Sequence, residues 1–277
     1  MQCLRSIRGF ALGLAMLASL GTVGCGGEGD DDAETIQAAI TVENALTANA
    51  LTANALTANA LTANALTANA LTANALTANA LTANALTANA LTANGLRDPL
   101  AREFLKYAVS CALDEDDSVS FKIDGKRYEF RGALGLAPEW GRSHGSCDGD
   151  CQRWVSACVL ARVDAAGVKR MISIRGDNRA LRPEDHELRR YTDREATYFG
   201  NLFVRNQPRY MCLSPDKTDN ERVCGDSLAD CPMTVVGSCD DACGDRGPYG
   251  SFVDCSDKGR ARRGTVYEES ITVFLPK

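Results

Sequence analysis

The sequence lacks several features that mark common classes of protein. It has no run of the eighteen or so apolar residues that a membrane-spanning helix needs. It contains only two histidines, His144 and His186, and aromatic residues make up 6% of the chain. The basic residues form no patch of the kind that drives nucleic-acid binding, so we expect no nucleic-acid partner.

Composition divides the chain into four segments: residues 1–24, 25–44, 45–94 and 95–277. The second segment carries six acidic residues and no basic residue, and the third repeats Ala-Leu-Thr-Ala-Asn ten times without an ionisable group. The last segment holds 28 basic and 30 acidic residues. It is long enough for one ordinary globular domain, so any chemistry is expected there.

The first segment has the pattern of a secretory signal peptide. Arg5 and Arg8 supply its positive start, and residues 10–20 form an apolar stretch too short to span a bilayer. The sequence Thr-Val-Gly-Cys ending at Cys25 resembles the lipobox of bacterial lipoproteins, although this family usually has Leu where Thr22 stands. The resemblance implies that Cys25 is lipidated and that residues 1–24 are removed. An ordinary signal peptide with a chance cysteine is the alternative.

The residues after Cys25 bear on the destination of an anchored chain. In lipoproteins the residue after the lipidated cysteine biases sorting, and Gly26 resembles the pattern of export to the outer membrane. The acidic run at residues 28–32 resembles the clusters of surface-exported lipoproteins, but a solvated acidic segment is equally compatible. We expect an exported protein of the cell envelope, at the outer membrane or the cell surface, with the membrane as one partner.

The repeat array fits neither a simple helix nor a simple strand. Its leucines recur every fifth residue, which spirals around a helix and alternates between the faces of a strand. Leucine at this period resembles the pentapeptide-repeat family, which implies a four-sided β-solenoid, although the array places Asn and Ala differently around each Leu. An unstructured or partly helical spacer of about 40 Å is the alternative. In either case the array is expected to be a stalk.

Ten cysteines lie in residues 95–277, and their even number in an exported domain predicts five disulfides. Two pairs have the short spacing of zinc ligands, but export favours disulfides, and we expect neither a metal ion nor a cofactor. The sequence leaves the connectivity open, apart from a plausible bridge between Cys111 and Cys158. The ten are Cys111, Cys147, Cys151, Cys158, Cys212, Cys224, Cys231, Cys239, Cys243 and Cys255.

Local patterns predict an α+β fold for this domain. Asp98 and Pro99 begin a helix that ends near residue 112, and a second helix capped by Asp150 ends near residue 162. Residues 118–130 alternate around an Asp-Gly turn and predict a hairpin. The pattern predicts strands at residues 171–174 and 265–275 and leaves residues 191–203 ambiguous. It predicts loops cross-linked by disulfides at residues 212–255. The absence of βαβ regularity favours α+β over α/β.

Two sets of residues are weak candidates for catalysis. Residues 141–145 match the G-x-S-x-G elbow of α/β-hydrolases, which implies Ser143 as a nucleophile and His186 as its base. The preceding segment contains a proline and is a poor central strand, so a chance match is favoured. Glu139 and Glu195 lie beside aromatic residues and could act as a carboxylate pair in glycoside hydrolysis, but nothing places them together.

These observations favour a lipid-anchored cell-envelope protein over an enzyme. The C-terminal domain as a whole resembles uncharacterised secreted bacterial proteins, a likeness that implies export and no particular activity. The expected role is binding of an extracellular ligand or protein, or surface display. The alternative is a secreted hydrolase of an extracellular ester or polysaccharide that uses Ser143 with His186, or Glu139 with Glu195.

Overall fold

The computed structural model describes the greater part of the C-terminal domain and two short strands, one just before the repeat array and one within its first unit. The described residues are 41–44, 46–47, 99–141, 147–204, 206–244, 246–259 and 264–277. The predicted signal peptide, the predicted lipidation site Cys25, most of the array and Ser143 lie outside them. No helix among the described residues is both long and apolar enough to cross a membrane.

The domain combines helices with a six-stranded sheet, which confirms the predicted α+β class. The helices are α1 Pro99–Ala112, α2 Gly149–Ala161, α3 Asp185–Arg190, α4 Glu221–Cys224 and α5 Cys239–Ala242. The strands are β1 Thr41–Asn44, β2 Leu46–Thr47, β3 Ser118–Ile123, β4 Lys126–Arg131, β5 Val163–Asp164, β6 Arg170–Arg175, β7 Tyr191–Gly200, β8 Arg209–Leu213, β9 Thr234–Ser238, β10 Cys255–Ser256, β11 Val266–Tyr267 and β12 Ile271–Pro276.

The large sheet has the strand order β1-β6-β12-β7-β8-β9. Neighbouring strands are antiparallel except for β8 and β9, which run parallel. Strand β7 is central and contacts β12 on one side and β8 on the other. Three two-stranded pairs, β3-β4, β2-β5 and β10-β11, complete the β-structure of the described residues.

The two longer helices form as their sequences predict. Helix α1 has Pro99 at its first position, which suits the fixed φ of proline, and its residues Phe104, Ala108 and Cys111 are buried. Helix α2 begins earlier than predicted. Its N-cap is Asp148, whose carboxylate accepts a hydrogen bond from the backbone N–H of Cys151 at 3.0 Å. The predicted cap, Asp150, lies inside the first turn instead.

The core lies between the helices and the sheet. Helix α2 packs on β7 and β12, and α1 packs on α2 and on β4. Strand β7 is buried from residue 195 to residue 200. Burial without alternation explains why its sequence is ambiguous, because a strand covered on both faces shows no period of two. The largest fully buried side chains are Leu113, Trp140, Tyr198, Phe199, Phe203 and Phe252.

All ten cysteines of the domain form disulfides, which confirms the prediction of five bonds. The bridge Cys111–Cys158 joins α1 to α2, as the sequence suggested. The remaining bonds are Cys147–Cys151, Cys212–Cys239, Cys224–Cys231 and Cys243–Cys255. Three of them lie within residues 212–255, which the sequence predicts to be loops cross-linked by disulfides. This segment also contributes strand β9 and helices α4 and α5.

Candidate functional site

A cleft beside helix α4 contains Glu195, one of the sequence-predicted candidates. We call it the Arg222 cleft, and its volume is about 440 Å³. It lies where β5, β7 and the segment before α4 meet. Its lining residues are Asp164, Ala165, Ala166, Arg170, Glu195, Lys217, Asp219, Asn220, Glu221, Arg222, Gly225, Asp226 and Leu275.

The floor of the Arg222 cleft is a buried ion pair between Arg222 and Glu195. Arg222 donates from Nε to Glu195 Oε1 at 2.8 Å and from Nη2 to Oε2 at 2.5 Å. The two residues are 7% and 5% exposed, so solvent screens this pair little. Arg222 Nη1 donates to the backbone oxygens of Ala161 and Val163, at the end of α2 and the start of β5. The guanidinium therefore ties α4 to α2, β5 and β7.

Tyr198 and Asn220 complete the buried network. The Tyr198 hydroxyl donates to Glu195 Oε2 at 3.0 Å and accepts from Asn220 Nδ2 at 2.8 Å. It also accepts from Arg222 Nη2 at 2.9 Å. Asn220 in turn caps α4, because its side-chain oxygen accepts from the backbone N–H of Val223. The hydroxyl is thus used as one donor and two acceptors, which is its full capacity.

Burial and neighbouring charges shift the pKa values of Tyr198 and Arg222. Desolvation raises the pKa of Tyr198 well above its usual range, so the phenol stays protonated and remains a donor. Desolvation alone lowers the pKa of Arg222, but the charge of Glu195, the neighbouring Tyr198 and the hydrogen bonds to Glu195 outweigh it. The net result is a raised pKa, so the guanidinium is charged at every accessible pH.

The rim of the Arg222 cleft is acidic. Two of its basic side chains are paired: Arg170 with Asp164 at 3.0 Å, and Lys217 with Asp193 at 2.8 Å. Three further carboxylates of the rim are exposed, and no ion pair among the described residues involves them. They are Asp219, Glu221 and Asp226. The charge balance at this rim favours positively charged groups of a ligand over negative ones.

Glu195 is engaged in a way that suits structure more than proton transfer. Both of its carboxylate oxygens accept hydrogen bonds from the Arg222 guanidinium, and Oε2 also accepts from Tyr198. A general acid or base must exchange a proton with a substrate, but both oxygens of Glu195 are already bound to donors of the protein.

The structure does not bring Glu139 or His186 to the Arg222 cleft. Glu139 is exposed on a 3₁₀ turn at residues 138–141, and no described contact joins it to Glu195. His186 lies on α3, where its Nδ1 is 3.1 Å from Glu184 Oε2 and its side chain is 40% exposed. Ser143, its proposed partner, falls in residues 142–146, outside the described residues.

The cysteines with zinc-like spacing are used as disulfides. Cys147 and Cys151 bond to each other, whereas Cys239 and Cys243 bond to different partners. The sulfurs of Cys212, Cys239 and Cys243 lie within 4.8 Å of one another in a buried cluster. Zinc binds thiolates, and oxidised sulfurs offer none, so this cluster is a pair of adjacent bridges that stabilise the β8–α5 region.

A second cleft, of about 610 Å³, lies beside the edge strand β9. It is lined by residues 206–210 on one side and by residues 228, 229 and 231–235 on the other. Arg209 and Tyr210 are its ionisable residues, and none of the sequence-predicted candidates lines it. The Arg222 cleft is therefore the stronger candidate for a specific polar site.

Sequence reasoning found Glu195 and its aromatic neighbour Tyr198 but missed Arg222 and Asn220. Tyr198 follows Glu195 by three residues on β7, but Arg222 lies 27 residues away in the chain. A segment such as Asn-Glu-Arg-Val gives a capping signal for a short helix and no sign of its partner. No known protein family, curated protein or solved structure matches this chain.

Proposed function

We propose that this chain is an exported, lipid-anchored protein of the cell envelope, and that its C-terminal domain serves as a binding or surface-display module. The observation that carries this proposal is the pairing of all ten cysteines of the domain. Five disulfides are typical of oxidising compartments outside the cytoplasm. They agree with a signal peptide of residues 1–24 that is followed by Cys25.

The anchor is a lipid on Cys25, and the acidic residues after it hold the domain away from the membrane. Acyl chains bind a bilayer through their buried methylene groups, and two or more chains make the attachment stable. Gly26 supports the outer membrane as the destination. Like charges at residues 28–34 repel one another, which favours an extended tether.

The Arg222 cleft is the part of the domain best suited to hold a ligand. Its floor is a network whose polar groups are already hydrogen-bonded to one another, so a ligand meets a fixed surface. Its rim offers Asp219, Glu221 and Asp226 to positive or hydrogen-bond-donating groups. This arrangement supports binding more than hydrolysis, because the buried carboxylate of Glu195 is committed to Arg222.

The anchor is tested by the substitution Cys25→Ser in the full chain, with Cys3→Ser as the matched control. Cells are fed an alkyne-labelled fatty acid, and membrane and soluble fractions are compared. We expect the unmodified chain and Cys3→Ser to carry the label and to sediment with membranes, and Cys25→Ser to lose both properties. A Cys25→Ser chain that still carries the label refutes the lipid anchor.

The alternative, a secreted serine hydrolase that uses Ser143 and His186, is tested with a fluorophosphonate probe. We expect no labelling of the purified exported chain. Labelling that Ser143→Ala abolishes and Ser146→Ala leaves intact would show that the hydrolase interpretation is right. The carboxylate pair is tested with Glu139→Gln, which should not alter any release of sugar from cell-wall polysaccharide.

A further inference from the structure

Two strands that precede most of the repeat array belong to the domain that follows it. Strand β1 pairs with β6 in antiparallel register, with Thr41 opposite Ser173 and Asn44 opposite Arg170. Strand β2 lies in the first Ala-Leu-Thr-Ala-Asn unit and pairs with β5 in parallel register. The chain therefore contacts the domain before residues 48–98 and again after them.

The elements on either side of residues 48–98 belong to the same domain. Strand β2 ends at Thr47 and helix α1 begins at Pro99, and these two elements are in contact. A flexible chain of fifty residues separates its ends by about 40 Å on average when nothing restrains them. A stalk must keep its ends apart, with the anchor at one and the domain at the other. Here the same domain holds both ends.

We propose that residues 41–47 are a docked strand segment of the domain, and that the array connects two parts of this domain instead of separating the domain from an anchor. The docked segment occupies the outer edge of β6, whose residues Ile172 and Ser173 are fully buried. The structural domain then begins at residue 41. This inference does not depend on the lipid anchor.

The chemistry of the docked segment fits an edge strand. Thr41 and Val42 are β-branched, which favours an extended backbone, and Val42 lies opposite the buried Ile172. An unpaired edge exposes backbone donors and acceptors that invite association with other chains, and β1 covers the edge of β6. The uncharged array contains no like charges that would push its ends apart.

The segment that occupies the edge of β6 is β1 of the same chain, not β1 of a neighbouring copy. A covalent connection of this length keeps β1 at an effective concentration on the order of millimolar near its own domain. A neighbouring copy reaches such a concentration only when the protein is crowded. Docking within one chain therefore outcompetes exchange between chains in dilute solution.

Engineered cysteines test the docking in the full exported chain. Glu43 lies opposite Met171, which is 45% exposed. The pair Glu43→Cys with Met171→Cys should cross-link under mild oxidation. The matched control joins Glu43→Cys to Val266→Cys, because Val266 is 56% exposed but lies on β11. Peptide mapping without reduction verifies that the five native disulfides are retained.

We expect at least about a tenfold higher cross-linked fraction for the 43–171 pair than for the 43–266 pair, and a monomeric product. Equal fractions in the two pairs would overturn the docking. A cross-linked dimer would overturn docking within one chain, because β1 would then belong to a neighbouring copy. Loss of membrane attachment in Cys25→Ser would leave the cross-link unchanged. The lipid anchor and the docking of β1 can therefore be refuted independently.

Array length and hydrogen exchange provide readouts that do not depend on new cysteines. In chains with five, ten or twenty repeat units, the backbone amides of β1 should exchange at least about tenfold more slowly than those of an unstructured peptide of the same sequence. An undocked segment predicts no such protection at any length. Exchange of β1 at the rate of the unstructured peptide would therefore refute the docking.

Discussion

Replacing Arg222 by methionine should destabilise the domain strongly. The substitution removes a buried cation that contacts Glu195, Tyr198 and two backbone oxygens, and it leaves the Glu195 carboxylate 5% exposed without its counter-charge. Breaking a buried ion pair by removing one partner costs about 3–5 kcal/mol. A loss of about 4 kcal/mol corresponds to a fall of about 12 °C in Tm for a domain of this size.

The measurement is urea unfolding followed by tryptophan fluorescence, with the disulfides intact. The double variant Arg222→Met with Glu195→Met should recover at least half of the loss, because no uncompensated charge then remains buried. The matched control is Arg131→Met, whose partner Glu129 forms an exposed pair at 3.3 Å. Such a pair contributes about 0–1 kcal/mol.

A loss below about 1 kcal/mol in Arg222→Met would show that the network does not hold the elements around it. A double variant as unstable as the single one would show that the cost comes from lost packing and lost backbone hydrogen bonds. In either case the assignment of Glu195 to a structural role would have to be withdrawn.

Two further predictions concern the disulfides and pH. Removing the Cys111–Cys158 bond, with a sequence separation of 47, should lower the free energy of unfolding by about 4 kcal/mol. Removing the Cys147–Cys151 bond, with a separation of 4, should lower it by about 2 kcal/mol. Equal losses in urea unfolding would contradict the loop-closure explanation. Burial raises the pKa of Glu187 in the folded domain. The protonated side chain therefore stabilises the fold below the unfolded-state pKa of about 4.3, and this contribution is lost as the pH rises through the folded-state pKa. Glu187→Gln should therefore gain stability relative to the unmodified chain between pH 4 and pH 7, and parallel pH profiles would refute this.

Elements with local signals could be predicted from the sequence. Helix α1 and the β3–β4 hairpin have their bounds within one or two residues of the prediction, since a proline start and an Asp-Gly turn act over a few residues. Cys111 and Cys158 were paired correctly, because both lie on apolar faces of adjacent helices.

Elements that depend on distant contacts could not be predicted. Strand β7 gives an ambiguous sequence because its residues 195–200 are buried on both faces. The same limit applies to the Arg222 cleft. Glu195 was chosen for its neighbouring aromatic residues, yet its partner is fixed only when α4 folds back over β7. Strand β1 is four residues long, and its partner β6 follows more than 120 residues later.

The contact between β2 and α1 also has a consequence at the level of the gene. Tandem DNA repeats gain and lose units by slippage during replication. The entropy of closing a connection grows only with the logarithm of its length, so a doubling of the array costs about 0.6 kcal/mol. With the proposed lipid anchor, and with the array held by the domain at both ends, the distance between the domain and the membrane is set by residues 25–40, which extend to about 55 Å at most. The number of repeats is then free to drift without moving the domain.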